Sequence, residues 1–459
     1  MRSQRILVAL MAASLLVAGC SGRGGSGTEE SAPPGKAAAV SSDFGDLQAV
    51  CQPGKATSSP TQGVTADQIQ VGVFTDMGFT KNTELVDTAK VFSSWCNDNG
   101  GINGRKVTVN VRDAKLMEGR QRMLEACRQD FALVGGFTAL DALGVKDRLS
   151  CTMPEFPSQV AMTENTGSDL QVGGGASASR PFDVYAGLHQ WLYKEAYPNS
   201  ASAVGIIVGD SPVTKVMADK YAEALPDQGA TLVYSDLYPA AGVSDWTPYA
   251  QSIKTKGVKG LIFLGDFRSL AKLEDILTSM DYKLDWIDAN SNAYNPAFIE
   301  LAGKSLTAQN NFSDLSGTAS LESANTIVAV KQAKDLFAKY APGAELTYPG
   351  LRALTQWLLF AKSAASCGAD LTRTCLVDTA RKETAFTAGG LQAPMDMSSP
   401  TVAPKCFNVV KATPQGWVNA DFKPNNGPYR CDMNAYVFKG DFGRAVTLAD
   451  IGKSASDVK

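Results

Sequence analysis

Few residues in this chain have the types and spacing that enzymes use for catalysis. His189 is the single histidine among 459 residues, which argues against histidine-rich zinc centres and Ser–His–Asp hydrolysis. Asp266 and Asp288 follow successive predicted strands and are a candidate acid–base pair of the glycosidase kind, with ligand hydrogen bonding or a structural role as the alternative. Gly303-Lys304-Ser305 lacks the first glycine of a P-loop, because Phe298 stands in its place. The sequence predicts no metal and no cofactor.

The cysteines carry a different chemistry. Apart from Cys20, the chain has eight cysteines, and none of them form a C-x-x-C motif, which disfavours thioredoxin-like redox chemistry and zinc ribbons. An even number of cysteines outside the cytosol is typical of disulfides, and buried free thiols are the alternative. Proximity in sequence favours the pairs Cys367–Cys375 and Cys406–Cys431, and after them Cys51–Cys96 and Cys127–Cys151.

The N-terminus has the features of a secretory leader. Arg2 and Arg5 precede an apolar run from Ile6 to Ala18, which is too short for a transmembrane helix of about 20 residues. The run ends in Leu16-Val17-Ala18-Gly19-Cys20, which resembles the lipobox of bacterial lipoproteins. We therefore predict a signal peptide at 1–19 and a lipid anchor on Cys20, with an ordinary signal peptide as the alternative. Residues 20–62 are rich in Gly, Ser, Ala and Pro and are predicted to be a flexible tether.

Composition sets the size of the folded part. The chain is 44% apolar and 19% charged, so it can bury a large core divided between two or three domains. Its 43 basic residues are slightly outnumbered by 46 acidic residues, and no basic field favours nucleic acid or anionic lipid. We expect no nucleic-acid partner.

Alternation of β-rich runs with amphipathic stretches predicts two α/β lobes with parallel sheets. In the first lobe, the predicted strands are 68–74, 107–111, 131–134 and 151–156, with helices over 85–96, 117–127 and 139–149. Asn99-Gly100-Gly101 is predicted to end the first helix. The second strand is predicted to alternate through Val107, Val109 and Val111, and the apolar face of the second helix is predicted to contain Met117, Gln121, Leu124 and Cys127. After Gly173-Gly174-Gly175 the pattern starts again, with strands at 204–208, 231–237, 260–264 and 285–289 and helices over 182–197, 214–225, 246–255 and 270–280. An extended stretch at 306–315, helices over 324–340 and 351–364, and hairpins in 389–438 follow. Ligands of open α/β sheets bind at the carboxyl ends of the strands.

One string indicates a family. Asn97-Asp98-Asn99-Gly100-Gly101-Ile102-Asn103-Gly104-Arg105-Lys106-Val107, followed by Val111-Arg112-Asp113, resembles the helix–turn–strand of type I periplasmic solute-binding proteins, related to the leucine/isoleucine/valine-binding protein of ABC importers. The resemblance implies an α/β fold of two flavodoxin-like lobes joined by three hinge crossings, near 169–176, 305–315 and 391–406. Lobe 1 would contain 63–175 and 312–395, lobe 2 would contain 176–311 and 396–440, and 441–459 would form a C-terminal tail.

The resemblance also implies where a ligand is held, because family members contact it through loops that follow the strands of both lobes. In the first lobe the corresponding positions are Asp76, Met77, Phe79, Phe137, Thr138, Ala139, Ser158 and Gln159. In the second lobe they are Asp210, Ser211, Asp266, Phe267, Asn290 and Ser291, and Tyr348 could cover the ligand.

The residues at these positions do not identify the chemical class of the ligand. Amino-acid-binding members hold the carboxylate with hydroxyls and backbone N–H groups, which here correspond to Thr138 or Ala139 and 158–160. Their acidic partner for the ammonium group falls near the neutral Asn290, with Asp288 or Asp266 as substitutes. Short-chain amides, aromatic acids and other small polar compounds are therefore alternatives to an amino acid.

The resulting hypothesis is a monomeric lipoprotein on the extracytoplasmic face of a bacterial membrane. It would capture a small polar or amphipathic molecule and present it to an ABC permease, without performing chemistry. The alternatives are a surface-displayed hydrolase that uses Asp266 and Asp288, and a sensory or adhesive binding module without a permease.

Overall fold

Two β-sheets form the framework of the protein in the computed structural model, which describes residues 41–56, 61–175, 177, 179–239 and 241–459. The predicted signal peptide, Cys20 and the tether up to residue 40 lie outside the described residues, as do 57–60 of the tether and Ala176 of the first crossing. Within the described ranges, no helix has the length and apolar character needed to cross a membrane.

The first sheet has four parallel strands in the order β2-β1-β3-β4. Helices connect the strands, as parallel pairing requires, and β1 and β2 are rich in Val, Ile and Thr. The strands are β1 (Gln68–Thr75), β2 (Lys106–Asp113), β3 (Ala132–Val134) and β4 (Glu155–Phe156). The helices between them are α1 (Met77–Thr80), α2 (Glu84–Asp98), α3 (Gly119–Gln129) and α4 (Val145–Ser150).

Glycine ends α2 as the sequence predicts. Gly101 has a φ of +76°, and a Cβ there would lie 2.1 Å from the carbonyl oxygen of Arg105. Its N–H donates to the carbonyl of Cys96 at 2.8 Å, which closes the helix in the manner of a left-handed C-cap. Only glycine fits this turn, and the turn feeds the chain into β2.

Three later helices complete the first lobe: α10 (Val328–Tyr340), α11 (Tyr348–Ser366) and α12 (Arg373–Ala380). The long helix α11 is buried along most of its length, and its Trp357 stacks on Phe92 of α2 with ring centroids 5.1 Å apart. Helix α11 therefore forms the core of the lobe, and its N-terminus is held in a fixed position.

The second sheet has seven strands in the order β11-β10-β9-β8-β7-β5-β6. Strands β5 to β9 are parallel, whereas β10 pairs antiparallel with both β9 and β11. The strands are β5 (Val204–Asp210), β6 (Leu232–Pro239), β7 (Gly260–Leu264), β8 (Trp286–Asp288), β9 (Asn311–Asp314), β10 (Val409–Thr413) and β11 (Gly416–Asn419). The helices are α5 (Ala186–Trp191), α6 (Val216–Gln228), α7 (Thr247–Thr255), α8 (Phe267–Ser279) and α9 (Pro296–Ala302).

The packing of α3 differs from the prediction. Met117 and Leu124 are 69% and 40% exposed, whereas Met123 and Ala126 are buried. The apolar face is therefore displaced by one residue from the predicted one, because Met123 packs with Phe74 and Leu133 of the sheet. In β2 the predicted alternation also fails at its end, where Val111 is exposed and Arg112 is buried against Asp130.

Several element bounds differ as well. The predicted helix over 139–149 is a 3₁₀ turn, Asp141–Gly144, followed by α4, and the strand over 151–156 shortens to β4 because Pro154 cannot donate to the ladder. The predicted domain boundary after residue 311 falls inside β9, which belongs to the second sheet. The crossing back to the first lobe therefore follows Asp314. The C-terminal residues pack on the first lobe, where the carbonyl of Lys459 accepts from the N–H of Arg373.

Four disulfides are present, and their pairing matches the one favoured by proximity: Cys51–Cys96, Cys127–Cys151, Cys367–Cys375 and Cys406–Cys431. The first three lie within the first lobe, and the fourth joins the segment before β10 to the segment after β11. Each closes a loop of the unfolded chain and so favours the folded state.

Candidate functional site

A cavity of about 580 Å³ lies at the carboxyl ends of strands from both sheets. This volume is within the range of small-molecule sites, which is roughly 300 to 1,000 Å³. The first lobe contributes Asn82, Glu84, Gln159, Thr347, Tyr348 and Pro349. The second lobe contributes Gly209 of β5 with Ser211 and Thr214 after it, Tyr238 of β6, and Gly265, Asp266 and Phe267 after β7. The loop after β8 adds Ser291, Asn292, Tyr294 and Asn295. We call this cavity the interlobe cleft.

The first-lobe wall is built by a contact between the starts of two helices. Glu84 is the first residue of α2, and its carboxylate accepts hydrogen bonds from the Thr347 hydroxyl at 2.5 Å and the Asn82 amide at 2.7 Å. Thr347 is also the N-cap of α11, since its hydroxyl accepts from the N–H of Gly350. Burial raises the pKa of Glu84, against the lowering effect of these two neutral donors. The carboxylate is thus held in the cleft wall without a cation beside it.

The loop after β7 is fixed by its own cap. Asp266 Oδ1 accepts from the N–H groups of Arg268 and Ser269 at 3.0 and 3.1 Å, which caps α8. The N–H of Asp266 in turn donates to the Tyr238 hydroxyl at 3.1 Å. These bonds place Asp266 and Phe267 at the cleft and align them with the Tyr238 ring.

The loop after β8 is fixed by asparagine. Asn290 has a φ of +48°, its Oδ1 accepts from the N–H of Asn292, and its Nδ2 donates to the carbonyl of Phe263. Tyr348 is anchored from the other side, because its hydroxyl donates to the carbonyl of Leu315 at 2.8 Å. Asn290 therefore supports the loop, while the neighbouring Ser291 and Asn292 reach the cleft.

Of the fifteen predicted ligand-binding residues, the structure brings six to the interlobe cleft: Gln159, Ser211, Asp266, Phe267, Ser291 and Tyr348. The other nine do not line it: Asp76, Met77, Phe79, Phe137, Thr138, Ala139, Ser158, Asp210 and Asn290. Phe79 is 62% exposed, and Phe137 and Thr138 face a separate pocket of about 20 Å³. These nine positions remain close to the strand ends but do not form the wall of the cleft.

The positions corresponding to carboxylate binding are already engaged by the protein itself. Asp76 accepts hydrogen bonds from the N–H of Ala139 at 2.8 Å and the N–H of Leu116 at 2.7 Å. The Ser158 hydroxyl donates to the carbonyl of Gly136 at 3.1 Å. Two of the donors that the resemblance implies for a ligand carboxylate, the Ala139 N–H and the Ser158 hydroxyl, are thus used within the first lobe.

Sequence reasoning missed eleven of the 17 residues that line the cleft. The largest omissions are Glu84, Thr347, Tyr238 and Tyr294, all of which line it. A signal existed for Thr347, since Thr347-Tyr348-Pro349 has the N-cap and early proline of a helix start, which would have placed the start of α11 before Leu351. Tyr238 and Tyr294 carry no local signal that separates a cleft residue from a core aromatic.

The proposed acid–base pair does not meet in the cleft. Asp288 is buried, and its carboxylate bonds His189 Nε2 at 2.8 Å and the N–H of Asn290 at 2.9 Å. Burial alone would lower the pKa of His189, but the hydrogen bond and charge of Asp288 outweigh it and raise the pKa. Nearby Asp314 is also buried, and burial raises its pKa to about 8. Asp288 therefore belongs to an interior polar cluster of the second lobe.

A second cavity, of about 350 Å³, lies among the segments that cross between the lobes. Its lining includes Gly173, Arg180, Met395 and Lys405. The Arg180 guanidinium donates to the carbonyls of Gly173 and Pro400 at 2.9 Å each. These bonds tie two crossings together, so this cavity is a feature of the hinge.

Comparison with known proteins places the fold and the cleft in a family. The family model described as "Periplasmic binding protein" matches residues 68–416, and the chain belongs to this family. The fold is that of the type I periplasmic binding proteins, which have two lobes. Among curated proteins, none matches the chain.

Solved structures agree with this fold. A fatty acid ABC transporter substrate-binding protein from Thermomonospora curvata is 17% identical with a TM-score of 0.65, covering 82% of this chain and 99% of its own. The branched-chain amino acid transporter substrate-binding protein LivJ from Streptococcus pneumoniae, in complex with isoleucine, is 15% identical with a TM-score of 0.61, covering 77% and 100%. The leucine-binding protein LivK from Thermotoga maritima is 12% identical with a TM-score of 0.61, covering 76% and 97%.

Proposed function

We propose that this protein is an extracytoplasmic solute-binding lipoprotein that captures a small polar or amphipathic molecule in the interlobe cleft and delivers it to an ABC importer. The observation that carries the proposal is the cleft itself, whose walls come from strand-end loops of both lobes. A ligand that contacts both walls is bound more tightly when the lobes are closed, so it shifts the population toward that state. The closed state is the form that a permease would recognise. No chemical step is required.

Similar proteins set the first compounds to test. The similar solved proteins include a fatty acid ABC transporter substrate-binding protein, a LivJ protein in complex with isoleucine and a leucine-binding protein. Amino acids, short-chain amides and carboxylic acids of several chain lengths therefore belong in the panel, together with amines and neutral polar compounds. A ligand at 100 times its Kd should add about 2.7 kcal/mol to the free energy of unfolding.

The binding test uses two phenylalanines that differ in position. Phe267 lines the interlobe cleft, whereas Phe79 is 62% exposed and lies outside it. We expect Phe267→Ala to weaken binding of any stabilising ligand at least tenfold and Phe79→Ala to leave it unchanged, measured by titration calorimetry. If the two variants behave alike, the ligand does not bind in this cleft. If no compound in the panel stabilises the protein, solute capture is refuted.

The membrane anchor is a separate part of the proposal and has its own test. Cys20→Ser should move the protein from the membrane fraction to the soluble fraction of its host, because a single substitution removes the thiol that would receive the lipid. An unchanged distribution contradicts the lipid anchor. Crosslinking in the host then distinguishes transport from sensing, since capture of permease subunits supports delivery and capture of a signalling protein supports the sensory alternative.

A further inference from the structure

We propose that the ligand of the interlobe cleft carries a positively charged nitrogen on a small apolar skeleton, and that Glu84 and Asp266 are the residues that select it. This inference rests on the proposed function, since it names the chemical class that the cleft would capture. Three groups of observations support it: the protein's own carboxylates bond to N–H groups that could bind an anion, the cleft wall carries negative charge, and aromatic rings line the cleft.

Donors that would hold an anion are taken by carboxylates of the protein. Asp76 occupies the N–H of Ala139 and the N–H of Leu116 at 2.8 and 2.7 Å. Asp266 occupies the N-terminus of α8 through two N–H groups. An anionic ligand at the start of α8 would have to displace Asp266 or lie beside it, and both arrangements are unfavourable because like charges repel.

The N-terminus of α11 also reaches the cleft, and a carboxylate of the protein lies beside it as well. Its cap, Thr347, donates its hydroxyl proton to Glu84 at 2.5 Å. Glu84 therefore lies where the partial positive charge of the helix end would otherwise attract an anion. The starts of α8 and α11 are thus each matched by a carboxylate from within the chain, whereas α9 is capped by the neutral Asn295, whose Oδ1 accepts from the N–H of Phe298 at 3.0 Å.

The wall carries negative charge that no basic residue of the lining balances. Glu84 and Asp266 are its ionisable acids, and among the described residues that line the cleft there is no Lys, Arg or His. Glu84 is half-buried, and its two hydrogen-bond donors, Thr347 and Asn82, are neutral. A carboxylate removed from water without a cation is poorly stabilised. A cationic ligand would supply the missing partner.

Aromatic rings complete the site for an organic cation. Tyr238, Phe267, Tyr294 and Tyr348 all line the cleft, and Tyr294 and Tyr348 meet edge to face with centroids 5.6 Å apart. Ring faces attract ammonium groups and pack against their apolar substituents, a contact worth about 0.5 to 2 kcal/mol. Two of these rings already stack with an arginine from outside the lining. The Arg268 guanidinium lies 4.6 Å from the centroid of the Phe267 ring, and the Arg352 guanidinium lies 5.7 Å from the centroid of the Tyr348 ring.

The test uses probes that share a skeleton and differ in charge. The full chain, purified in mild detergent, is titrated at pH 7 with 3-methylbutylamine, 3-methylbutanol and 3-methylbutanoate, and with the amine, alcohol and acid of the 2-phenylethyl skeleton. We expect each amine to bind at least tenfold more tightly than the alcohol of the same skeleton. We expect the acids to bind more weakly than the alcohols.

Variants assign the preference to residues. Glu84→Gln and Asp266→Asn remove the charge. Asp266→Asn keeps the single oxygen that caps α8, since asparagine is also a good N-cap, and Glu84→Gln keeps one of its two acceptor oxygens. Each should reduce amine affinity about tenfold and leave alcohol affinity unchanged. Glu300→Gln, at an exposed position of α9 outside the cleft, should change neither and serves as the control.

The outcomes separate this inference from the function it rests on. If an acid, or leucine itself, binds more tightly than the amines, or if both variants keep wild-type amine affinity, the cation inference is refuted and solute capture stands. If no probe binds while an acidic or neutral compound of the wider panel does, the inference is likewise refuted. If nothing in either panel binds, it is the proposed function that fails.

Discussion

Replacing Glu274 should change how the stability of the protein depends on pH. Glu274 lies on α8, the helix whose N-terminus forms part of the cleft wall, and its side chain is fully buried. Its Oε2 accepts a hydrogen bond from Asn311 at 3.0 Å, and burial raises its pKa from 4.5 to about 8. The folded protein therefore keeps this proton over a pH range in which the unfolded chain has lost it.

The sign and size follow from proton linkage. Because the folded state binds more protons than the unfolded state in this window, stability falls as the pH rises from the unfolded pKa toward the folded pKa. The pKa values of 4.5 and about 8 differ by about 3.5 pH units, which corresponds to about 5 kcal/mol in total. Of this, about 3 to 4 kcal/mol is lost between pH 5 and pH 8.

Glu274→Gln mimics the protonated side chain at every pH and so removes this dependence. We expect the gain in free energy of unfolding over wild type to be at least about 2 kcal/mol larger at pH 8 than at pH 5. Urea unfolding followed by tryptophan fluorescence measures both values. Comparing the variant with wild type cancels the contributions of Asp314 and Asp141, whose pKa values burial also raises, to about 8 and about 7.

Glu300→Gln, an exposed glutamate exchange on α9, is the matched control and should shift stability equally at both pH values. The reasoning is refuted if Glu274→Gln gives the same gain at pH 5 and pH 8, since the buried carboxyl would then ionise as it does in the unfolded chain.

Two further substitutions test the cleft and the core. Gly265→Ala would place a Cβ 1.8 Å from the Tyr238 hydroxyl oxygen, so we expect the Tyr238 ring to be displaced and ligand affinity to fall at least tenfold in calorimetry. The control Gly303→Ala, whose Cβ would have its nearest neighbour 3.4 Å away, should bind the ligand normally. Equal affinities of the two variants would contradict this geometry. Asp130→Ala removes the partner of Arg112, which donates to both carboxylate oxygens at 2.9 and 3.0 Å. Arg112 would keep its hydrogen bond to Gln129 and a longer contact with Glu125 at 3.7 Å. Breaking a buried charge pair costs about 3 to 5 kcal/mol, and a loss below about 1 kcal/mol in urea unfolding would show that Glu125 replaces Asp130 as the partner.

Local signals predicted most elements correctly. β7 and α10 are found within a few residues of their predicted positions, because short apolar runs and helical periodicity report burial directly. The same signals failed where packing is not local. The face of α3 is set by contacts with Phe74 and Leu133, and nothing inside the helix sequence distinguishes Met123 from Leu124.

The residues of the candidate site also differ in whether local sequence signals could predict them. Asp266 and Phe267 could be predicted because they directly follow a buried strand and begin a helix. Glu84 could not, because its position in the cleft depends on Thr347, which is 263 residues away in the sequence. Asp76 follows the first strand as a ligand residue would, yet its carboxylate bonds two N–H groups of its own lobe.

The sequence by itself therefore determined the alternation of strands and helices, the glycine stop after α2, the cysteine pairs and the family. These features depend on residue type and on neighbours close along the chain. The tertiary structure alone decided which polar groups face the cleft and which are already bonded inside the protein. A donor or a carboxylate can serve a ligand only if no other part of the chain has reached it first, and that competition is settled when distant segments pack together.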